Sequence, residues 1–249
     1  MIYNNSQKKA VMHTTGPMMV LAGPGSGKTA VITGRTCQLT ASGISASRIL
    51  VVTFTRAAAK EMKERYLKAM GKTSTQVTFG TFHGVFYAIL RHTYRMSGNN
   101  ILSEEEKKRL MRELVNHYAR DLEEEDLEEN LAREISTVKN NQIPLEHYYS
   151  ACMPQEKFRE IYEAYEKWRK ENKKLDFDDL MVQCKRLFLE RPEVLRAWQH
   201  KFQYILIDEF QDISPVQYEI VRMLALPENN LFIVGDDDQS IYHFRGARP

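Results

Sequence analysis

The sequence predicts an α/β fold: a mainly parallel sheet flanked by helices, with an all-helical subdomain inserted partway along the chain. Three observations carry this. Five short runs, at 18–21, 49–53, 76–79, 204–208 and 231–235, are rich in Val, Ile, Leu and Phe and bounded by polar or Gly residues. The first three alternate with helix-compatible segments at 30–40 and 57–70, the order of βαβ units. Between residues 82 and 200 strand signals vanish and helical periodicity takes over. Strands this short and this apolar fit a sheet covered on both faces.

The run at 18–21 leads into Ala22-Gly23-Pro24-Gly25-Ser26-Gly27-Lys28-Thr29. A strand before it and a helix after it are the setting that a phosphate-binding loop needs. Gly23, Gly25 and Gly27 let the backbone turn tightly and aim successive N–H groups at one point. The helix N-terminus behind them favours negative charge. Lys28 can reach the β- and γ-phosphates, and the Thr29 hydroxyl can ligate Mg²⁺. Ala22 stands where the strict pattern has Gly, and a small residue fits there.

The central region reads as helices. Ser103 with Glu106 forms a capping box ahead of Leu110 and Leu114. Phe158, Ile161, Tyr162, Tyr165 and Trp168 recur at helical spacing, an aromatic stripe expected to be core. The acidic runs at 104–106 and 123–126 are expected on a solvated face. The division expected is an α/β domain in two segments, 1–88 and 199–249, with the helical insertion at 89–198. The long separation of Lys28 from Asp208 fits such an insertion.

The run at 204–208 ends in Asp208 and Glu209. The carboxyl edge of a parallel sheet is where ligands bind. Asp208 there would hold Mg²⁺, directly or through water, and Glu209 would act as general base toward the attacking water. Ser214, Pro215 and Gln217 make a second helix start. The run at 231–235 then opens onto three acids, Gln239, and aromatics interleaved with basic residues. Gln239 can sense a γ-phosphate by hydrogen bonding. Tyr242, Phe244 and Arg245 offer stacking and phosphate contacts of the kind used on single strands.

Bulk composition bounds the function. The chain has 249 residues, 43% hydrophobic and 27% charged, which suits a soluble globular protein. No apolar run approaches the roughly 20 residues that cross a membrane, and residues 1–10 have no apolar signal core, so a cytoplasmic location and no membrane partner are expected. Three cysteines far apart, Cys37, Cys152 and Cys184, suggest neither a disulfide framework nor a zinc ligand set. A net charge of +2 neither requires nor excludes nucleic acid.

Taken in order, these segments resemble the N-terminal half of UvrD/Rep-type superfamily 1 DNA helicases. Asn4-x-x-Gln7 is similar to the adenine-reading Q motif, Ala22–Thr29 to motif I, and the segments 53–58 and 80–83 to motifs Ia and Ib. Residues 175–180 are similar to a segment upstream of motif II, 206–212 to motif II, and 234–247 to motif III. The resemblance implies a RecA-like P-loop NTPase fold, with ATP and Mg²⁺ as cofactors and single-stranded DNA as partner. It implies that Gln7 pairs with the adenine edge and that Arg35 stacks on the adenine ring. Phe54, Thr81, His83, Tyr242, Phe244 and Arg245 then touch DNA, and Lys28, Glu209 and Gln239 serve catalysis.

Family members usually carry Arg-Trp-Arg-Gly where this chain has His243-Phe244-Arg245-Gly246, and a Ser where it has Gly84. Phe offers a smaller stacking face than Trp, and Gly84 removes one possible phosphate contact. The expected activity is ATP-driven translocation and unwinding, 3′-to-5′ by resemblance. The chain is expected to depend on a C-terminal RecA-like domain of the same gene product, which in the family supplies the arginines for phosphoryl transfer. By itself the chain is then nearly inactive. The alternatives are a P-loop ATPase acting as a regulatory or assembly module without DNA, and a nucleotide-binding module without turnover.

Overall fold

The structure, a computed structural model, describes residues 3–95, 98–122 and 126–236. Five strands, β1 (Met18–Leu21), β2 (Ile49–Thr53), β3 (Thr78–Thr81), β4 (Tyr204–Ile207) and β5 (Leu231–Gly235), form one all-parallel sheet in the order β1-β5-β4-β2-β3. The chain builds the two outer parts first. It leaves after β3 and returns to fill the centre with β4 and β5. Both returning strands therefore end between the loop after β1 and the loop after β2.

Ten α-helices are described: α1 (Asn5–Met12), α2 (Lys28–Ala41), α3 (Arg56–Met70), α4 (Phe82–Tyr94), α5 (Glu104–Tyr118), α6 (Leu127–Asn141), α7 (Gln155–Glu171), α8 (Phe177–Glu190), α9 (Pro192–Lys201) and α10 (Pro215–Ala225). Alternate strand residues feed opposite cores, as a period of two requires. Ile49, Val51, Leu206, Phe232 and Val234 join Val31 and Ile32 of α2 and Met62 and Tyr66 of α3. Leu50, Val52, Ile205, Ile207 and Ile233 join α4, α8 and α10 through Phe86, Ile89, Cys184, Phe188 and Ile220. The sheet is thus covered on both faces at its centre. The expectation of full cover fails at β1, an edge strand, where Met19 and Leu21 are 59% and 61% exposed.

A third core lies outside the sheet, built by α5, α6 and α7 around Leu114, Leu131, Ile135, Phe158, Ile161 and Tyr165. The aromatic stripe falls on α7, and Ser103 and Glu106 cap α5 reciprocally at 3.2 and 3.0 Å. A buried charge cluster ties this layer to α8. Lys139 of α6 donates to Asp176 and Asp179 at 2.7 and 3.0 Å and pairs with Glu166 of α7 at 2.8 Å. Arg169 reaches Asp179 at 3.0 Å. Charges this buried are tolerated because each is paired. They fix the helical layer against the end of α8 that faces the groove described below.

The largest boundary differences from the sequence reading fall at β3 and at the start of α2. β3 runs two residues later than 76–79, because its register is set by pairing Leu50–Thr53 with Thr78–Thr81. α2 begins at Lys28 rather than at residue 30, with Gly27 in the left-handed region (φ +87) as its N-cap.

Candidate nucleotide site and nucleic-acid groove

The carboxyl ends of β1, β5 and β4 stand side by side. The loop 22–29 leaves β1 and is pinned at its start by Ala22 N–H donating to Gly235 O at 3.0 Å. Gly25 and Gly27 both have positive φ (+68 and +87), which the loop requires and a β-carbon would oppose. Gly23 O accepts from Ser26 N–H at 3.3 Å, closing the loop on itself. Lys28 follows, with a side chain only 10% exposed, 3.4 Å from both Glu209 and Asp236. Thr29 is the next residue of α2, half-buried.

Asp208 is buried at the end of β4, and burial, with the neighbouring Glu209 charge, pushes its pKa up to about 6. A carboxylate held this way gains from a cation, and the Thr29 hydroxyl and Asp208 carboxylate are both oxygen donors suited to Mg²⁺. Glu209 adopts a left-handed backbone (φ +52), unusual for a non-glycine residue. Its Oε2 accepts from Gln211 Nε2 at 2.7 Å. The other end of that amide, Oε1, accepts from Asp236 N–H at 3.0 Å. Gln211 was not singled out in the sequence. The signal available was an amide placed between an acid pair and a third acid, in Asp208-Glu209-Phe210-Gln211-Asp212.

Gln7 lies against the loop. Asn4 and Gln7 cap α1 reciprocally at 2.8 and 2.9 Å, and Gln7 Nε2 donates to Ser26 O at 2.8 Å. An amide has two N–H groups and two acceptor lone pairs. One N–H therefore holds the loop to α1, and one lone pair is engaged in the helix cap. Arg35 is a correction. It is 1% exposed, donates to Thr14 O at 3.3 Å, and lies 4.8 Å over the ring of Phe232. Its Nε and Nη1 have no hydrogen-bond partner among the described residues, and burial lowers its pKa to about 10. Two helical turns separate it from Lys28, which carries it under the sheet. Phe232 sits three strand residues, about 10 Å, below the edge. The guanidinium presents no open face to a base.

Phe54, Thr81 and His83 gather elsewhere, along a groove of about 1000 Å³ between the carboxyl ends of β2 and β3 and the helical layer. Phe54 packs edge-on against Phe82 at 5.5 Å, and His83 against Phe177 of α8 at 5.5 Å. Thr81 caps α4 by accepting from Gly84 N–H at 3.1 Å. The facing wall carries Lys107, Lys108, Arg112 and Arg133. Three of these meet carboxylates: Lys107 with Asp178 at 3.8 Å, Arg112 with Glu128 at 3.4 Å and Arg133 with Glu129 at 3.4 Å. Gln239, Tyr242, Phe244 and Arg245 lie outside the described residues.

Sheet order, loop and acid pair define the class: an α/β RecA-like phosphate-loop domain. The family described as the UvrD/REP helicase N-terminal domain matches residues 3–249, and the chain belongs to it. It is 43% identical, over 99% of its length, to the Bacillus subtilis (strain 168) protein named "Putative ATP-dependent DNA helicase YjcD". It is 36% identical, over 98% of its length, to the ATP-dependent DNA helicase PcrA of Staphylococcus aureus (strain Mu50), and 37% identical over 98% to PcrA of Leuconostoc citreum. The chain spans 33–34% of the length of these relatives. No described helix is long and apolar enough to cross a membrane.

Proposed function

We propose that this chain is the ATP-binding portion of an ATP-dependent DNA helicase that moves 3′-to-5′ on single-stranded DNA in the cytoplasm. Its partner in hydrolysis is a C-terminal RecA-like domain of the same gene product. The observation that carries the reading is the meeting of Lys28, Asp208, Glu209 and Asp236 at one sheet edge beside the loop 22–29. A nucleotide would draw Lys28 from its two carboxylates onto the β- and γ-phosphates. Glu209, released from that ion pair, takes the proton of the attacking water. The water oxygen bonds to the γ-phosphorus, the bond to the β-phosphate oxygen breaks, and ADP and phosphate leave. Thr29 and Asp208 would hold Mg²⁺, which supplies charge neutralisation on the phosphates. The remaining N–H and lone pair of Gln7 are available to adenine, and Gln239 to the γ-phosphate.

The groove favours a nucleic-acid partner over a purely regulatory module, since it pairs the aromatics Phe54 and His83 with a cationic wall. Because three of its cations already face carboxylates, DNA affinity is modest and salt-sensitive. We also propose the division into 1–88 and 199–249 with an insertion at 89–198, supported by the separate core of α5, α6 and α7. Helix α8 bridges the two, contributing Leu180, Cys184 and Phe188 to the sheet-side core. Calorimetry tests the site: Lys28→Ala removes Mg²⁺-ADP binding, and unchanged affinity in a folded variant contradicts the reading.

A further inference from the structure

Glu209 has a problem that its neighbours solve. Its side chain is 37% exposed and sits on a left-handed backbone, so the carboxylate needs an anchor to keep one direction. Among the described residues two groups hold it, Lys28 at 3.4 Å and Gln211 at 2.7 Å. Nucleotide binding competes for Lys28, because phosphate oxygens are its other possible partners. Gln211 is then the neighbour that still donates to the carboxylate.

Gln211 is itself well fixed. It is buried in the 3-10 turn Phe210–Asp212, and its Oε1 accepts from Asp236 N–H at 3.0 Å. The end of β5 is shaped to admit it: a Cβ on Gly235 would stand 3.1 Å from Gln211 Oε1 and 3.4 Å from Gln211 N. A primary amide of this length suits the job. It must donate to a carboxylate and accept from a peptide N–H at once. A Glu there could accept but would set two carboxylates together. An Asn would fall short by one carbon–carbon bond, about 1.5 Å.

We propose that Gln211 is a positioning residue for ATP hydrolysis, its amide clamping the Glu209 carboxylate to the carboxyl end of β5 so that the carboxylate keeps its direction when Lys28 turns to the nucleotide. This rests on the reading of Glu209 as the group that accepts the water proton. A misplacement of about 1 Å at such a group can cost roughly 100-fold in rate.

The test is steady-state ATPase of the full gene product with saturating single-stranded DNA, for wild type, Glu209→Gln, Gln211→Met, Gln211→Glu and the double variant Glu209→Gln/Gln211→Met. Gln211→Met should lower kcat about 10- to 100-fold while KM and the calorimetric affinity for ADP stay within about twofold. In the Glu209→Gln background the same change should cost nothing further, because Gln211 acts through Glu209. Gln211→Glu keeps the length and the acceptor, so it carries the test if Gln211→Met fails to fold; it should lose at least as much kcat. Wild-type kcat in either folded Gln211 variant, with Glu209→Gln inactive, overturns the positioning role and leaves the site reading standing. Equal loss of ADP affinity and kcat in Gln211→Met also overturns it, in favour of a structural staple. A fully active Glu209→Gln removes the base reading and this proposal together.

Discussion

The nucleotide edge and the groove are built on opposite plans. At the edge the polar groups are engaged within the protein: Lys28 with Glu209 and Asp236, Gln211 with both, Gln7 with the loop. A ligand there exchanges partners and finds a preformed geometry. The groove is wide, its aromatics are half-exposed, and two of its ion pairs, Arg112–Glu128 and Arg133–Glu129, stand largely in solvent. A ligand there meets stacking faces and loosely held charges. The contrast suits the proposed function, a tight nucleotide site beside a groove that binds and releases a strand.

The largest effect expected falls on the edge. Glu209→Gln in the full gene product should lower ATP turnover by about 10²–10⁴-fold, the usual contribution of a general base, while nucleotide still binds. A rate-and-affinity pair measured on that variant decides it. Retained turnover would mean the edge is not preformed for chemistry.

Asp208 sharpens the same side through pH. Burial, and then the Glu209 charge, raise its pKa to about 6, above its value of about 3.9 in an unfolded chain. The folded state therefore holds that proton more tightly, and the native protein without Mg²⁺ loses stability as pH rises through about 6. Asp208→Asn should stabilise the ligand-free protein at pH 8, by at most about 3 kcal/mol, with the gain fading toward pH 4. The same variant should lose the additional stabilisation that Mg²⁺ gives ADP-bound protein. Thermal melts across pH, with and without Mg²⁺-ADP, check both. A gain that grows as pH falls would contradict the assignment.

The groove should respond more mildly. Phe54→Ala should weaken single-stranded DNA by about 1–3 kcal/mol, the usual value of one stacked base. His83→Ala should cost less, since that ring also leans on Phe177. Anisotropy titrations at two salt concentrations read both, and unchanged affinity in Phe54→Ala would remove it from the track.

The two regions were unequally legible in the sequence. β1, β2 and β5 could be read residue for residue, because strands buried in a parallel sheet are short, apolar and sharply bounded. The loop 22–29 declared itself through its glycines. The strand order could not be read, since nothing local in 204–207 says that β4 pairs with β2 and β5. Arg35 was misplaced for the same reason: its depth depends on Phe232 of β5, far away in sequence. Gln211 was passed over because its partner Asp236 lies a helix and a strand later. The groove residues Phe54 and His83 were named, but the opposing wall of α5 and α6 becomes visible only once the third core is packed.

The two proposed sites are distinct, each made by its own set of residues. The most direct measurement is a cross-test on one protein: Mg²⁺-ADP affinity by calorimetry and single-stranded DNA affinity by anisotropy, for wild type, Lys28→Ala and Phe54→Ala. Lys28→Ala should lose nucleotide and keep DNA, and Phe54→Ala should keep nucleotide and lose part of its DNA affinity. Folded variants in which Lys28→Ala abolishes both ligands, or in which Phe54→Ala weakens nucleotide and spares DNA, would contradict this separation of sites.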